Sequence, residues 1–549
     1  MTANEFRNDF GRTIFNQKYR HEGAETWAEL ATTLAVQVCG GLLKDSEVKQ
    51  IAEYIRDMKF IPGGRYLYYA GRPMKFWNNC FLLRAEEDTR EDWSNLSWKS
   101  ESCLLTGGGI GIDYSRYRPS GSTLRRTGGL ASGPLPKMEM INEIGRRVMQ
   151  GGSRRSALYA SLNWKHGDIH DFIRMKDWHH QFLGTTGLTH WDLKQQDYNW
   201  AAPMDMTNIS VNYDTEWLLK TKHGGADPTF LSNVRQALST AEPGFSFNFF
   251  RKENETLRNA CTEVTSEDDS DVCNLGSINL SRIKDVAELS QVTDLATAFL
   301  LCGTIRADVP YEKIKTVREK NRRLGLGLMG IHEWLIQRNY KYEINSELTE
   351  WLSIYEANSD WAAFHYADQL SISAPIAVRA IAPTGTIGIL AGTTTGIEPI
   401  FATAYKRRYL KGKEWYYQYV IDSAAKEMVE RYGVDPSTIE SSLDLAADYE
   451  RRIAFQAHVQ DYVDQSISST INLPAWGSDL NNDDTVLDFA NTVIKYSPRL
   501  RGLTVYPDGA RGGQPLTSIP YMEAKGREGV EYREHDVCSI TGKGGVCGV

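Results

Sequence analysis

A chain of 549 residues exceeds what one ordinary core supports, so either several domains or one large α/β barrel with additions is expected. Hydrophobic residues at 41% and charged residues at 24% match soluble globular averages and exclude disordered, fibrous and membrane-embedded classes. The formal net charge of -8, with no basic run, argues against a nucleic-acid surface, so any phosphate ligand has to be held locally.

Residues 1–30 carry Arg7, Asp9, Arg12, Lys18 and Arg20 and no apolar stretch, so neither a leader nor a membrane span is expected and the protein is placed in the cytoplasm. Apolar residues recur at helical intervals over Thr26–Cys39 and Asp45–Met58, which predicts a helical N-terminal cap over residues 1–75. From Phe76 to about Pro515, strand-like apolar runs alternate with glycine punctuation and helical patterns, the signature of one large domain built on a mostly parallel sheet. Residues 516–549 are polar, glycine-rich and end in Gly-Lys-Gly-Gly-Val-Cys-Gly-Val, and are expected to form a mobile tail carrying the thiols of Cys538 and Cys547.

Eight cysteines are ordinary for an intracellular chain of this length and far too few for a disulfide scaffold. Cys39, Cys103 and Cys302 sit in apolar or helical surroundings and read as small core residues. Asn259-Ala260-Cys261-Thr262-Glu263 is different: in an extended segment, alternate positions project an amide, a thiol and a carboxylate to one side. An amide can orient a substrate hydroxyl, a carboxylate can take its proton, and a thiol has a weak S–H bond suited to carrying a radical. The same string also suits a buried cysteine flanked by turn residues. Cys80 and Cys273 each open an apolar strand-like run, Cys-Phe-Leu-Leu and Cys-Asn-Leu-Gly-Ser-Ile-Asn-Leu. On adjacent parallel strands their Cα atoms would fall within the roughly 4–7 Å that a disulfide needs, although two buried thiols fit as well.

Together these motifs resemble the active site of ribonucleotide reductases. The resemblance extends through Gly107-Gly108-Gly109-Ile110-Gly111-Ile112-Asp113, Arg118-Pro119-Ser120-Gly121-Ser122, Gly151-Gly152-Ser153-Arg154-Arg155-Ser156-Ala157, Asn321-Arg322-Arg323-Leu324-Gly325-Leu326-Gly327 and Pro383-Thr384-Gly385-Thr386-Ile387, in matching order. It implies a ten-stranded α/β barrel of two five-stranded parallel halves, with Cys261 shielded from water at the tip of a finger loop inside it. In family terms Cys261 carries the thiyl radical, Glu263 takes the 3′-hydroxyl proton, Asn259 holds substrate hydroxyls, and Cys80 with Cys273 supplies the reducing equivalents. Asn79 and the segment Pro383, Thr384, Gly385, Thr386 and Ile387 would bind substrate, the latter through its phosphates. Asp88, Arg118 and Arg125 would hold a deoxynucleotide or ATP effector, with residues 151–156 and 184–200 linking that site to the substrate.

The resemblance further implies a homodimer whose tail thiols, Cys538 and Cys547, recharge the buried pair and are themselves reduced by a thioredoxin- or glutaredoxin-like protein. Their Cys-x8-Cys spacing is wider than the family pattern, and a zinc site involving His535 is the alternative. With only 79 residues before Cys80, no ATP-binding activity domain is expected, as in compact phage-type members. The radical source is read as adenosylcobalamin, because Tyr506-Pro507 offers one tyrosine where enzymes with a separate metal-containing, ferritin-like radical subunit carry an adjacent pair, and Tyr416-Tyr417 follows Pro383 too soon. Tyr506 as a reduced relay to such a subunit is the runner-up. An inactive nucleotide-binding regulator is the alternative outside enzymes, but it has no use for the five residues Cys80, Asn259, Cys261, Glu263 and Cys273.

Overall fold

The computed structural model describes residues 5–78, 80–148, 156–184, 186–197, 200–411, 414–510 and 516–533. Strands Cys80–Arg84, Gly109–Asp113, Leu158–Asn163, Thr207–Tyr213 and Gly244–Phe247 lie side by side and parallel, each joined to the next through helices. A second parallel set begins with Asp271–Asn279 and Leu324–Met329 and ends with Thr470–Leu473 and Gly502–Pro507. Between them runs the extended segment 377–381, bridged to Leu326 through Arg379 and to Ile467 through Ile381. The halves meet antiparallel at both seams, Cys80 opposite Cys273 and Gly502 opposite Ser246. Two sets of five thus close into the expected α/β barrel.

Alternation along the strands sorts the residues. Phe81, Leu83, Ile110 and Ile112 pack outward in one buried cluster with Leu104 and Ile141 from the covering helices. Cys80, Leu82, Cys273 and Leu275 face inward and pack on Leu257 and Val264. Those last two flank the finger loop, whose base is the short antiparallel pairing of Leu257–Arg258 with Thr265–Ser266. The barrel has room for this loop because Gly109 and Gly111, inward positions of Gly109–Asp113, carry no side chain. A Cβ on Gly111 would stand 1.7 Å from the Arg258 carbonyl oxygen, and one on Gly109 would stand 3.1 Å from Ala260 Cβ. Gly325 does the same for a sulfur, since its Cβ would lie 2.9 Å from Cys273 Sγ.

The N-terminal helices form where periodicity placed them. Thr26 caps Trp27–Cys39 in a capping box with Glu29, and Asp45–Arg56 follows. They do not form a separate cap, however. Trp27, Leu34 and Ile55 share one buried cluster with Ile278, Leu300 and Leu326 of the barrel, and Phe60–Pro62 pairs antiparallel with residues 276–278.

A second difference lies near the C-terminus. Leu516–Ser518 and Glu531–Arg533, expected in the mobile tail, add edge strands to the hairpin Ala404–Lys411 and Glu414–Ile421. Tyr532 stacks on Tyr417 at 5.4 Å, and Tyr521 and Ala524 pack on Ala404 and Ile421. A polar segment gains this order by pairing with strands far upstream, which local composition does not reveal. No helix among the described residues is long and apolar enough to cross a membrane.

The fold makes a direct demand on Gly111. Gly111→Ala is expected to lower Tm by on the order of 5 °C or more and to abolish turnover, since backbone must move to admit the methyl group. Gly224→Ala, in open helix surface, is expected to be neutral or slightly stabilising in the same thermal melts.

Candidate active site

The finger tip is a tight turn and not the extended segment expected from alternation. The Thr262 N–H donates to the Asn259 carbonyl at 3.0 Å, and Thr262 holds φ +71°. A β-branched residue in that left-handed region costs on the order of 1–2 kcal/mol, strain of the kind that collects at functional sites. The turn still brings the three groups together. Asn259 Oδ1 accepts from the Val264 N–H at 2.9 Å, and its Nδ2 donates to Cys80 Sγ at 2.9 Å. The Cys80 thiol in turn faces Glu263 Oε1 at 3.9 Å. Cys80, Asn259, Cys261 and Glu263 all line one cavity of about 380 Å³, a size suited to a small ligand.

Cys80 and Cys273 are directly opposed on neighbouring strands, but those strands are antiparallel, where the sequence pointed to a parallel pair. Directly opposed antiparallel positions have Cα separations of about 4.5–5.5 Å, within disulfide range. Both thiols are buried, and no disulfide joins any described cysteine. Cys39, Cys103 and Cys302 are buried too, in keeping with their reading as core residues. Cys261 departs from expectation, because it is exposed where shielding was predicted. It occupies the tip of the turn, on the cavity side, while the barrel wall covers the other two sulfurs.

Electrostatics follow from burial. Desolvation raises Glu263 to about 7, against a weaker opposing effect of the Asn259 amide. Its Oε2 is buried with no hydrogen-bond partner among the described residues. Burial, reinforced by the Glu263 charge, pushes the Cys80 thiol well up, and burial does the same to Cys273. Both therefore remain protonated thiols at neutral pH. Beneath the finger, Arg323 pairs with Asp271 at 2.8 Å and Arg501 with Glu255 at 2.8 Å. Burial alone would raise Glu255, but the Arg501 and Arg323 charges hold it down at about 2. These pairs compensate charges that would otherwise be costly inside a barrel.

The cavity's other side is the expected segment: Pro383, Thr384, Gly385, Thr386 and Ile387 all line it, and the helix Gly385–Ala391 starts within it. First-turn N–H groups lack intrahelical acceptors and favour an anion. Thr384 takes φ +52° and its hydroxyl accepts from the Gly396 N–H at 2.8 Å, which fixes the turn into the helix.

Four residues in or beside the site were not singled out from sequence. Tyr19, Arg65 and Ser277 line the cavity, and the Asn208 amide donates to the Ala260 carbonyl at 3.3 Å, bracing the finger tip beside Cys261. Ser277 lies within the run that Cys273 opens but was given no role there, and the other three sit in no chemically distinctive motif. Only the Gly63-Gly64-Arg65 run could have drawn attention, as a close backbone approach beside a cation.

Of the expected effector residues, Asp88 and Arg118 form an ion pair, reinforced by the Arg118 N–H to Asp88 Oδ2 at 3.2 Å. Arg125 is exposed on the loop between the bridged residues Thr123 and Leu130. The stretch 184–200 contains the short helix His190–Gln196. Tyr506 is half-buried on the last barrel strand, opposite Asn472, whereas Tyr416 and Tyr417 stack on Tyr409 and Tyr532 in the separate hairpin sheet. Asn79, the linking residues 151–155, and Cys538 and Cys547 lie outside the described residues. No cluster of three metal-ligating side chains occurs among the described residues.

The barrel thus carries an inserted finger with a thiol at its tip and a cross-strand cysteine pair behind it. Residues 78–199, 232–355 and 376–506, more than half of the chain, match the family described as "Ribonucleotide reductase, barrel domain". The chain therefore belongs to the ribonucleotide reductases. Among its relatives is a vitamin B12-dependent ribonucleoside-diphosphate reductase of Mycobacterium tuberculosis, 28% identical over 86% of this chain and 73% of that protein. A protein of Mycobacterium phage D29, named for adenosylcobalamin-dependent ribonucleoside-triphosphate reduction, is 27% identical over 81% of this chain and 72% of its own length. The class Id ribonucleotide reductase alpha subunit of Actinobacillus ureae superposes with a TM-score of 0.72 at 15% identity, covering 93% of this chain and 98% of that one, a likeness of fold.

The environment of Glu263 sets a pH dependence. If it accepts a substrate proton it must be ionised, so kcat/KM is expected to fall about tenfold per pH unit below about 7. The sign for stability is opposite. A carboxyl whose folded pKa is raised contributes stability that is complete at acid pH and is lost as pH rises from about 4.5 through about 7, on the order of 3 kcal/mol by pH 8. Glu263→Gln should thus be more stable than wild type to denaturant at pH 8 yet at least 100-fold less active; equal stability of the two proteins at pH 8 would refute the desolvation account.

Proposed function

We propose that the protein is the catalytic subunit that reduces ribonucleotides to 2′-deoxyribonucleotides for DNA precursor synthesis, acting in the cytoplasm through a thiyl radical on Cys261. What supports this most is the convergence of Asn259, Cys261, Glu263 and Cys80 on one cavity with the start of the helix Gly385–Ala391, and Cys273 directly behind Cys80.

The ribose would lie against the finger tip, with its phosphates at residues 383–387 and near Asn79. The Cys261 thiyl takes the hydrogen atom from C3′ and becomes a thiol, while Glu263 accepts the 3′-hydroxyl proton and Asn259 orients the hydroxyls. The 2′-hydroxyl leaves as water with a proton from the Cys80–Cys273 pair. Over the cycle that pair gives up two electrons and two protons and closes as a disulfide, and the Cys261 S–H returns its hydrogen atom to C3′, restoring the thiyl. One ribonucleotide and one dithiol thus become one deoxyribonucleotide, one disulfide and one water. Keeping Cys80 and Cys273 protonated suits them as hydrogen and proton donors, and a Glu263 poised near 7 can both take and return a proton.

The names of the relatives support adenosylcobalamin as the radical source. The residues present fit it, since Cys261 alone of the three active-site thiols is exposed to a group arriving from outside. Bound adenosylcobalamin would supply the oxidising equivalent that removes the hydrogen atom from the Cys261 thiol. A ferritin-like radical subunit acting through Tyr506 is the second reading.

Asp88, Arg118 and Arg125 would bind a deoxynucleotide effector that selects the substrate base, with residues 151–156 and 184–200 relaying it. Cys538 and Cys547 would re-reduce the buried pair by thiol exchange and be recharged by a thioredoxin- or glutaredoxin-like protein. The protein would act as a homodimer.

Purified protein with dithiothreitol, a deoxynucleotide effector and adenosylcobalamin is expected to convert CDP or CTP to the deoxynucleotide. Cys261→Ala should lose activity entirely, and Cys80→Ser or Cys273→Ser should lose multiple turnover. Turnover that requires an added radical subunit in place of the cofactor would establish the second reading. Turnover unaffected by Cys261→Ala would sink the mechanism.

A further inference from the structure

Phe6 to Tyr19 form an arm that no catalytic motif includes. Its short helix Asp9–Ile14 continues into a five-residue π-helix, Phe15–Tyr19, a form that often marks functional positions. The arm lies along the helix Gly385–Ala391, whose first turn lines the cavity. At the far end of that helix Arg7 donates to the Gly392 carbonyl at 2.8 Å, a favourable place for a cation, and pairs with Glu333 and Glu427. Asn8 Nδ2 donates to Ser423 Oγ at 2.7 Å. Gly11 rests against the helix backbone so closely that a Cβ would stand 2.5 Å from the Leu390 carbonyl oxygen. Phe6 and Phe15 pack on each other at 5.4 Å and on Trp27, which ties the arm into the main core.

The arm ends inside the active-site cavity. Tyr19 is 4% exposed and lines the same space as Cys261, Glu263 and residues 383–387. Its hydroxyl lies 3.1 Å from where a Cβ on Gly64 would be, so the ring reaches the cavity wall formed by Gly63, Gly64 and Arg65. One element therefore holds the helix Gly385–Ala391 from its C-terminal end and contributes wall to the cavity at which that helix begins.

We infer that Tyr19 is a substrate-positioning residue, its ring closing the cavity wall against the bound ribonucleotide, and that Arg7 is the latch that holds the arm and the helix Gly385–Ala391 in register. This rests on the proposed ribonucleotide site and adds to it a residue whose contribution is to ground-state binding. Removing such a contact raises KM and Kd more than it lowers kcat.

The test uses the full chain. Kd for CDP and CTP is measured by equilibrium dialysis, and KM and kcat by turnover, for wild type, Tyr19→Ala, Tyr19→Phe and Arg7→Ala. Tyr19→Ala is expected to raise Kd and KM at least tenfold, exceeding any fall in kcat, and Tyr19→Phe to recover most of that loss because the ring is restored. Arg7→Ala, acting away from the cavity, should raise KM about fivefold, and it carries the test if Tyr19→Ala does not fold by circular dichroism. Wild-type binding with unchanged Kd in Tyr19→Ala and Arg7→Ala overturns the inference alone, as does a loss confined to kcat. A wild-type protein that binds neither nucleotide overturns the proposed function and this inference with it.

Discussion

The Arg258 carbonyl oxygen occupies the place where a side chain on Gly111 would begin, 1.7 Å from that ideal Cβ position. A barrel of ten segments ordinarily fills its interior with side chains from its own strands. Here the inward positions at Gly109 and Gly111 carry none, and the finger loop supplies the packing instead. The substitution is consequential because a loop delivers what a strand cannot: a tight turn with a strained Thr262 that lifts Cys261 out of the apolar interior into the cavity. Glycine is thus the condition for the thiol's position, and every other feature of the site is measured from that thiol.

Threading a polar loop through an interior imposes an electrostatic problem, which the fold meets by pairing. Arg323 with Asp271 and Arg501 with Glu255 neutralise one another beneath the finger, and the buried Arg258 donates to Asn248 Oδ1 at 2.6 Å. Glu263 is the exception: burial carries it to about 7, and what opposes burial there is hydrogen bonding from the Asn259 amide and the backbone, not a cation. The contrast between Glu255 at about 2 and Glu263 at about 7, two carboxylates in one interior, comes down to whether an arginine faces them. Glu255 is locked ionised, whereas Glu263 is left poised to gain or lose a proton near neutrality.

The parallel sheet and the cluster of Asn259, Cys261 and Glu263 were legible in the sequence because their signals are local, whereas the closed ten-stranded barrel came from the family resemblance. Asn259, Cys261 and Glu263 stand within five residues, and the small, hydroxyl-bearing 383–387 segment suits a turn into a helix. What was misread depended on pairing at a distance. The turn at Asn259–Thr262 looks in sequence like a strand. The antiparallel seam between Cys80 and Cys273 cannot be told from a parallel one until the chain closes. Residues 516–533 look like tail until Tyr532 meets Tyr417. Tyr19 was invisible for the same reason: nothing in Phe-Asn-Gln-Lys-Tyr indicates that a π-helix will carry its ring into a cavity built from residues 63–387.

The antiparallel seam also bears on how the site could survive repeated oxidation. Two cysteines directly opposed across a ladder already sit at disulfide separation, so closing the bond asks for rotation of two side chains and little backbone movement. Gly325, whose missing Cβ leaves space 2.9 Å from Cys273 Sγ, gives that sulfur room to turn. The same burial that keeps both thiols protonated denies them the thiolate that exchange requires, so if they closed as a disulfide its reduction would have to begin with a thiolate brought from elsewhere and attacking Cys80, the member of the pair that faces the cavity. Cys273, fully buried behind it, is then the leaving sulfur, and its raised pKa makes that departure slow unless a proton is supplied as it leaves. Glu263, poised near 7 and 3.9 Å from Cys80 Sγ, is placed to manage protons on the cavity side of the pair.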